Sequence, residues 1–253
     1  MRFLEACSYQ LDDNRIIIYI KQLKQQYSAE TVRKHILAIR RFLKFINYPL
    51  ADSIKIPNVP ERRKTVIKPH HIRNLINEID EKVKYAPLRL KARAAILLSA
   101  TSGMRAEEVY KLSLDNIDLE NRMIFIPAEI SKSYKDRITF FSEETKEILL
   151  AYFESNPDPT KLFTKYSLRR AFDKLNTSLR MKHMRKFFSQ QSDRLGMPTA
   201  VKKILMGHVV GDDDFVVVRG GDVDLSHYDF QDEEELKKIY DKFWRDFRIF
   251  SQQ

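Results

Sequence analysis

A chain of 253 residues, 43% of them apolar, can fill one large domain or two modest ones with a real core. Its one cysteine, Cys7, excludes a disulfide framework and fits a reducing compartment, no apolar run reaches the roughly 18 residues of a membrane span, and MRFLEACSYQLDD lacks the apolar core of a secretory signal, so a cytoplasmic protein is expected. With 45 Lys and Arg against 35 Asp and Glu the formal charge is +10, the balance of a protein that meets a polyanion, although a solvated, salt-bridged surface gives the same count.

Asp12 or Asp13 can cap a helix through IIIYIKQLKQQY, and Ser28 with Glu30 opens a second through SAETVRKHILAIRRFLKFIN. In the second, Val32, Ile36, Ile39, Leu43 and Ile46 recur at spacings of four, three, four and three, which draws one apolar stripe along a helix. Arg33, Lys34, Arg40, Arg41 and Lys44 fall on the remaining faces, where they can meet phosphates or simply face water. Asn47 and Pro49 end that helix. Pro57, Pro60 and the run Arg62, Arg63, Lys64 follow without apolar periodicity and read as an exposed linker. The expected division is a helical front domain over residues 1–57, a basic linker over 58–67 and a second domain over 68–253.

Beyond the linker, IRNLINEI, LKARAAILLSAT and MRAEEVYKL read as helices, the last opening after a turn at Ser102-Gly103. RMIFIPAEISKSYKDRITFF reads instead as two β-prone runs joined by a polar turn, a hairpin. Helices resume in ETKEILLAYF, SLRRAFDKLN, HMRKFFSQQSDRL, PTAVKKILM and DEEELKKIYDKFWRDF. The fold class is therefore mainly α (α+β), helical with a small antiparallel sheet.

Taken singly, the polar residues are ambiguous. Arg105 follows a glycine turn at a helix start, where a guanidinium can project and an anion is favoured. SKSYKDR gathers Lys132, Lys135 and Arg137 in a turn suited to a DNA groove or to plain solvent, and Lys182 and Arg185 share a helical face. The order of the pieces is more specific. Gly103-x-Arg105-x-x-Glu108, then Lys132-x-x-Lys135-x-Arg137, then Lys182-x-x-Arg185, then Leu205-x-Gly207-His208, then Tyr228, resembles the tyrosine recombinase family over most of residues 66–250.

The resemblance implies that Arg105 and Arg185 clamp a scissile phosphate, Glu108 supports Arg105, Lys132 protonates the leaving 5′-oxygen, His208 assists at the phosphate and Tyr228 is the nucleophile. It implies that residues 1–57 are a DNA-binding clamp, with Lys135 and Arg137 also touching DNA. The substrate is then double-stranded DNA, cut through a 3′-phosphotyrosine and rejoined by a homotetramer on paired sites. No metal or other cofactor is implied, and no His, Cys or carboxylate set has ligand spacing, Asp212, Asp213 and Asp214 reading as a solvated turn.

Two positions depart from the family pattern. Lys182 stands where most members carry histidine, which is similar to archaeal integrases of fusellovirus or plasmid type, and a lysine with an ordinary pKa of about 10.4 must lose its proton before it can act as a base. Tyr228 follows His208 by 20 residues, and removing the 11 residues Val209 to Arg219 brings the spacing to the family's nine, so that stretch reads as an insertion. Tyr166 and Tyr240 are the rival nucleophiles. The expected function is integration or excision of a mobile element; the alternatives are an Xer-like chromosome resolvase, a type IB topoisomerase and a DNA-binding protein without catalysis.

Overall fold

The computed structural model describes residues 2–61, 65–155, 162–208 and 232–250. It divides into two compact units, Met1–Thr65 and Val66–Gln253. Arg62, Arg63 and Lys64, the Val209–Arg219 stretch and Tyr228 lie outside the described residues.

The first unit is built from α1 (Arg2–Ala6), α2 (Asp13–Gln26), α3 (Ala29–Phe45) and α4 (Leu50–Ser53). Asp12 caps α2, its carboxylate accepting from the Arg15 N–H at 2.9 Å. Ser28 occupies the cap position of α3, but its hydroxyl pairs with that of Thr31 rather than with a backbone N–H. Val32, Ile36, Ile39 and Leu43 bury together against Ile16 and Leu23 of α2. Each such side chain contributes about 1.5–3 kcal/mol by leaving water. Ile46, expected on the same stripe, is 39% exposed because α3 has already ended at Phe45 and the helical rotation is lost. Asn47 makes that stop in the left-handed region, at φ 55°, and the Tyr48 N–H closes the end on the Leu43 carbonyl.

In the second unit α5 (Pro69–Lys82) and α6 (Ala86–Ser102) are followed by α7 (Ala106–Lys111), a sheet, α8 (Glu143–Ser155), α9 (Lys165–Phe172), α10 (Met181–Leu195), α11 (Thr199–Met206) and α12 (Glu233–Trp244). From Ala94 onward α6 is buried on every side, as a helix that is apolar all round must be, and α8, α9 and α10 pack on it. Its hydroxyls do not go unpaired: Thr101 and Ser102 donate back to the Leu97 and Leu98 carbonyls.

The sheet has three antiparallel strands in the order β1 (Ile117–Asp118), β2 (Met123–Ile126) and β3 (Arg137–Phe140), with Ile124 opposite Thr139 and Ile126 opposite Arg137. The hairpin of β2 and β3 is where the sequence places it. Strand β1 is an addition: two residues give no alternation to read, and its pairing depends on the turn in which the Asp118 carboxylate accepts from the Asn121 N–H. At the far end Leu236, Tyr240 and Trp244 of α12 enter the core, with the Trp244 ring stacked on Phe188 and its N–H donating to Ser192. Arg122 fixes the same helix, placing one nitrogen 2.7 Å from both Asp241 oxygens. Among the described residues no helix is long and apolar enough to cross a membrane.

Candidate active site

The end of α6, the start of α7, the hairpin and the end of α11 meet around one carboxylate. Helix α6 stops at Gly103, in the left-handed region at φ 70°, and a Cβ there would fall 2.5 Å from the Phe188 ring. The turn so formed puts Arg105 at the cap position of α7, and the three-residue spacing brings Glu108 back beneath it.

Glu108 is 1% exposed and every acceptor direction of its carboxylate is used. One oxygen accepts from Arg105 Nη1 at 2.9 Å and Arg137 Nη1 at 3.0 Å; the other accepts from the Arg105 backbone N–H and Arg137 Nη2, both at 2.7 Å. Burial alone would raise the pKa of this group, but the hydrogen bonds and charge of Arg137, and then those of Arg105, outweigh it and hold the carboxyl below its ordinary value. Glu108 is thus an anion in the core of the site.

Arg105 remains 24% exposed and sends its other nitrogen, Nη2, to the Gly207 carbonyl at 3.0 Å. Arg185 comes from α10 and donates to the Gly103 carbonyl at 2.7 Å. Desolvation first, and repulsion from Arg105 and Arg137 second, lower its guanidinium from its ordinary value to about 9, against the pull of Glu108. Three guanidiniums therefore surround one carboxylate among the described residues, and the surplus positive charge is what an incoming anion would relieve.

Gly207 ends α11 in the left-handed region at φ 62°, and His208 follows it with its N–H bonded to the Lys203 carbonyl. Partial desolvation, then Arg185 and Arg105, lower the His208 imidazole below 6.5, so it is neutral at pH 7. Lys132 stands exposed on the hairpin turn. With Arg105, Ser133, Gly207 and His208 it lines a shallow cavity of about 470 Å³. A phosphate seated there would meet a guanidinium, an ammonium and an imidazole from three separate elements.

The other sequence-derived candidates distribute differently. Lys182 is exposed in the first turn of α10, and among the described residues no hydrogen bond or ion pair joins it to Arg105, Arg185 or His208. Lys135 is exposed on the turn. Arg137 corrects an expectation: it is not a DNA-facing turn residue but the first residue of β3, 8% exposed, with its guanidinium on Glu108 and its Nε on the Leu205 carbonyl at 3.3 Å. The available signal was strand parity, since Arg137 shares a face with buried Thr139, which donates to the Ser102 carbonyl. The Gly207 and Gly103 carbonyls, as acceptors for Arg105 and Arg185, had no signal in the sequence.

Of the rival tyrosines, Tyr240 is fully buried, donates to the Thr101 carbonyl at 2.9 Å and has its phenol pushed well above 10 by burial. Tyr166 is 71% exposed on α9, beneath the Arg170 guanidinium. On α3, Arg33 and Arg41 are exposed and pair with no carboxylate among the described residues. Lys34 pairs with Glu30 at 3.0 Å and Lys44 with Asp52 at 2.9 Å, while Arg40 donates to the Ala51 carbonyl at 3.0 Å.

The sequence profile of the phage integrase family matches residues 65–209. Tyrosine recombinase XerA of Saccharolobus solfataricus is 33% identical over 192 residues, 73% of this chain and 62% of that protein. XerA of Thermococcus kodakarensis is 26% identical over 155 residues, 61% of this chain and 52% of that protein. The chain thus spans less than two thirds of the length of these relatives. Among solved structures, the Tn1549 transposon integrase in complex with a circular intermediate DNA superposes with a TM-score of 0.60 at 15% identity, covering 75% of each chain. The recombinase XerH, bound to palindromic difH substrate after cleavage, gives 0.58 at 16% identity over 82% of this chain and 69% of that one. Those likenesses establish the fold. With the profile covering more than half of its length, the chain belongs to the phage integrase family of tyrosine recombinases.

Proposed function

We propose that the chain breaks and rejoins double-stranded DNA at specific sites, using Tyr228 as nucleophile. The observation that carries this reading is the surplus of guanidinium charge around Glu108, set beside a cavity lined by Arg105, Lys132 and His208. Arg105 and Arg185 would hold the non-bridging oxygens of the scissile phosphate as charge builds on them, a stabilisation by charges already in place. The phenolic oxygen of Tyr228 would form a bond to phosphorus as the P–O5′ bond breaks, with Lys132 giving its proton to the leaving 5′-oxygen. Neutral His208 is suited to hydrogen-bond the phosphate or take up the phenolic proton. The 3′-phosphotyrosine keeps the bond energy, and a 5′-hydroxyl from a second duplex would reverse the step.

The burial of Tyr240 and its bond to Thr101 support Tyr228 over that rival. Exposed cations of α3 would hold flanking phosphates, and a homotetramer acting in the cytoplasm on paired sites is the assembly proposed. Insertion or excision of an archaeal virus or plasmid is the biological setting proposed. The XerA relatives favour a second reading, an Xer-like resolvase acting on two sites of one circular molecule. A supercoiled plasmid bearing sites mapped from covalent adducts tests both. Intermolecular joints support integration, resolution of dimers alone supports the Xer-like reading, relaxation without joints indicates a topoisomerase, and DNA binding without any adduct sinks the enzymatic reading.

A further inference from the structure

Arg137 is less accessible than Arg105, 8% against 24%, yet it is the principal partner of Glu108. Its two Nη atoms meet the two carboxylate oxygens in a fork, at 3.0 and 2.7 Å, the strongest geometry such a pair has. Arg105 gives that carboxylate only one side-chain hydrogen bond and turns its other nitrogen to Gly207. The stem of Arg137 also fills the space under Gly207, where a Cβ would lie 2.7 Å from Cδ and 2.8 Å from Nε. One side chain of β3 thereby ties α7, through Glu108, to the end of α11 that presents His208.

Charge counting gives this arrangement a consequence. Without Arg137, Arg105 would be the one guanidinium hydrogen-bonded to Glu108, at 2.9 Å, and Arg105 and Arg185 together would exceed the carboxylate by a single charge instead of two. With Arg137 present the carboxylate is already matched, and Arg105 keeps a net charge for an anion. We propose that Arg137 is a positioning residue for phosphodiester cleavage, offsetting the charge of Glu108 so that Arg105 keeps its own for the phosphate, and backing the Gly207-His208 turn. The proposal rests on the cleavage reading of the same site.

The test uses the full chain and compares R137M, R137K and the double variant R137M/E108Q. The readouts are single-turnover adduct formation on a plasmid with a mapped site, DNA affinity, and the rise in unfolding midpoint when sodium sulfate replaces sodium chloride at equal ionic strength. R137M is expected to form adduct about 10²-fold more slowly while its DNA affinity moves less than about threefold. The double variant removes the carboxylate charge as well, and is expected to recover at least about tenfold over R137M in rate when rates are compared at matched folded fraction; a recovery that only tracks a restored unfolding midpoint marks an architectural ion pair and overturns the proposal. R137K, which keeps the charge, is expected within about tenfold of the parent, and if R137M does not fold, a folded R137K slowed by about 10²-fold overturns the proposal. R137M cleaving like the parent, or a double variant no faster than R137M, also overturns it. Should the parent form no adduct, the cleavage reading fails and sulfate decides the charge claim. Sulfate stabilises every variant by exclusion from the surface, so a larger shift in the parent and the double variant than in R137M supports it, and an equal shift in R137M contradicts it.

Discussion

Helix α3 and the pocket around Glu108 are both rich in cations, and they use them in opposite ways. On α3, Lys34 and Lys44 each have a carboxylate within 3.0 Å, both members of each pair are open to water, and salt screens what remains. Around Glu108 the cations outnumber the carboxylate, and Arg185, desolvated first and repelled by Arg105 and Arg137 second, has its guanidinium lowered to about 9. The net charge of +10 therefore says little about which cations work. Burial and imbalance do.

The largest expected effect lies in the pocket. Arg105→Ala and Arg185→Ala should each slow single-turnover cleavage by about 10²–10³, since each removes a preorganised charge from the phosphate. Normal cleavage in either would erase the distinction between the two regions. Gly207→Ala should come next. It combines a left-handed φ of 62° with a Cβ 2.7 Å from Arg137, and a loss of about 1–3 kcal/mol in denaturant unfolding is expected, together with slower cleavage.

A smaller effect sharpens the electrostatic side. By NMR the His208 imidazole should titrate below 6.5, and should move up in Arg185→Ala as one source of repulsion is removed. The sign for stability follows. A histidine with a depressed native pKa binds fewer protons folded than unfolded, so its contribution is present above 6.5 and is lost as the pH falls through the interval down to the native value. The smallest effect belongs to α3. Arg33→Ala and Arg41→Ala should each flatten the salt dependence of DNA binding by about 0.9 in log–log slope for every phosphate left without its cation, with the chemical step unchanged. Lys44→Ala should change it less, because Asp52 already holds that ammonium.

Much of this is legible in the sequence because it is local. Val32, Ile36, Ile39 and Leu43 follow the helical repeat, and the left-handed stop at Asn47 follows from residue type. Glu108 is assigned to Arg105 by the family resemblance of Gly103-x-Arg105-x-x-Glu108, and the structure supplies the physical reason, since three residues on a helix start bring a carboxylate back to the cap. Arg137 is placed on the turn because a stretch rich in Lys and Ser looks solvated throughout; its parity with Thr139 was the local signal, and the pairing of Arg137 with Ile126 shows that β3 has begun and the side chain turns inward. Ile46 fails for the converse reason, a stripe extrapolated one residue beyond the helix. The Gly103 and Gly207 carbonyls are backbone groups delivered by packing between distant segments, which no local pattern encodes.

The central claim is tested most directly by digesting the covalent protein–DNA adduct and sequencing the peptide that carries the nucleotide. The account predicts a Tyr228 peptide joined to a 3′-phosphate, and no adduct at all from Tyr228→Phe that still binds DNA. A nucleotide on Tyr166, or an adduct that persists in Tyr228→Phe, would contradict it.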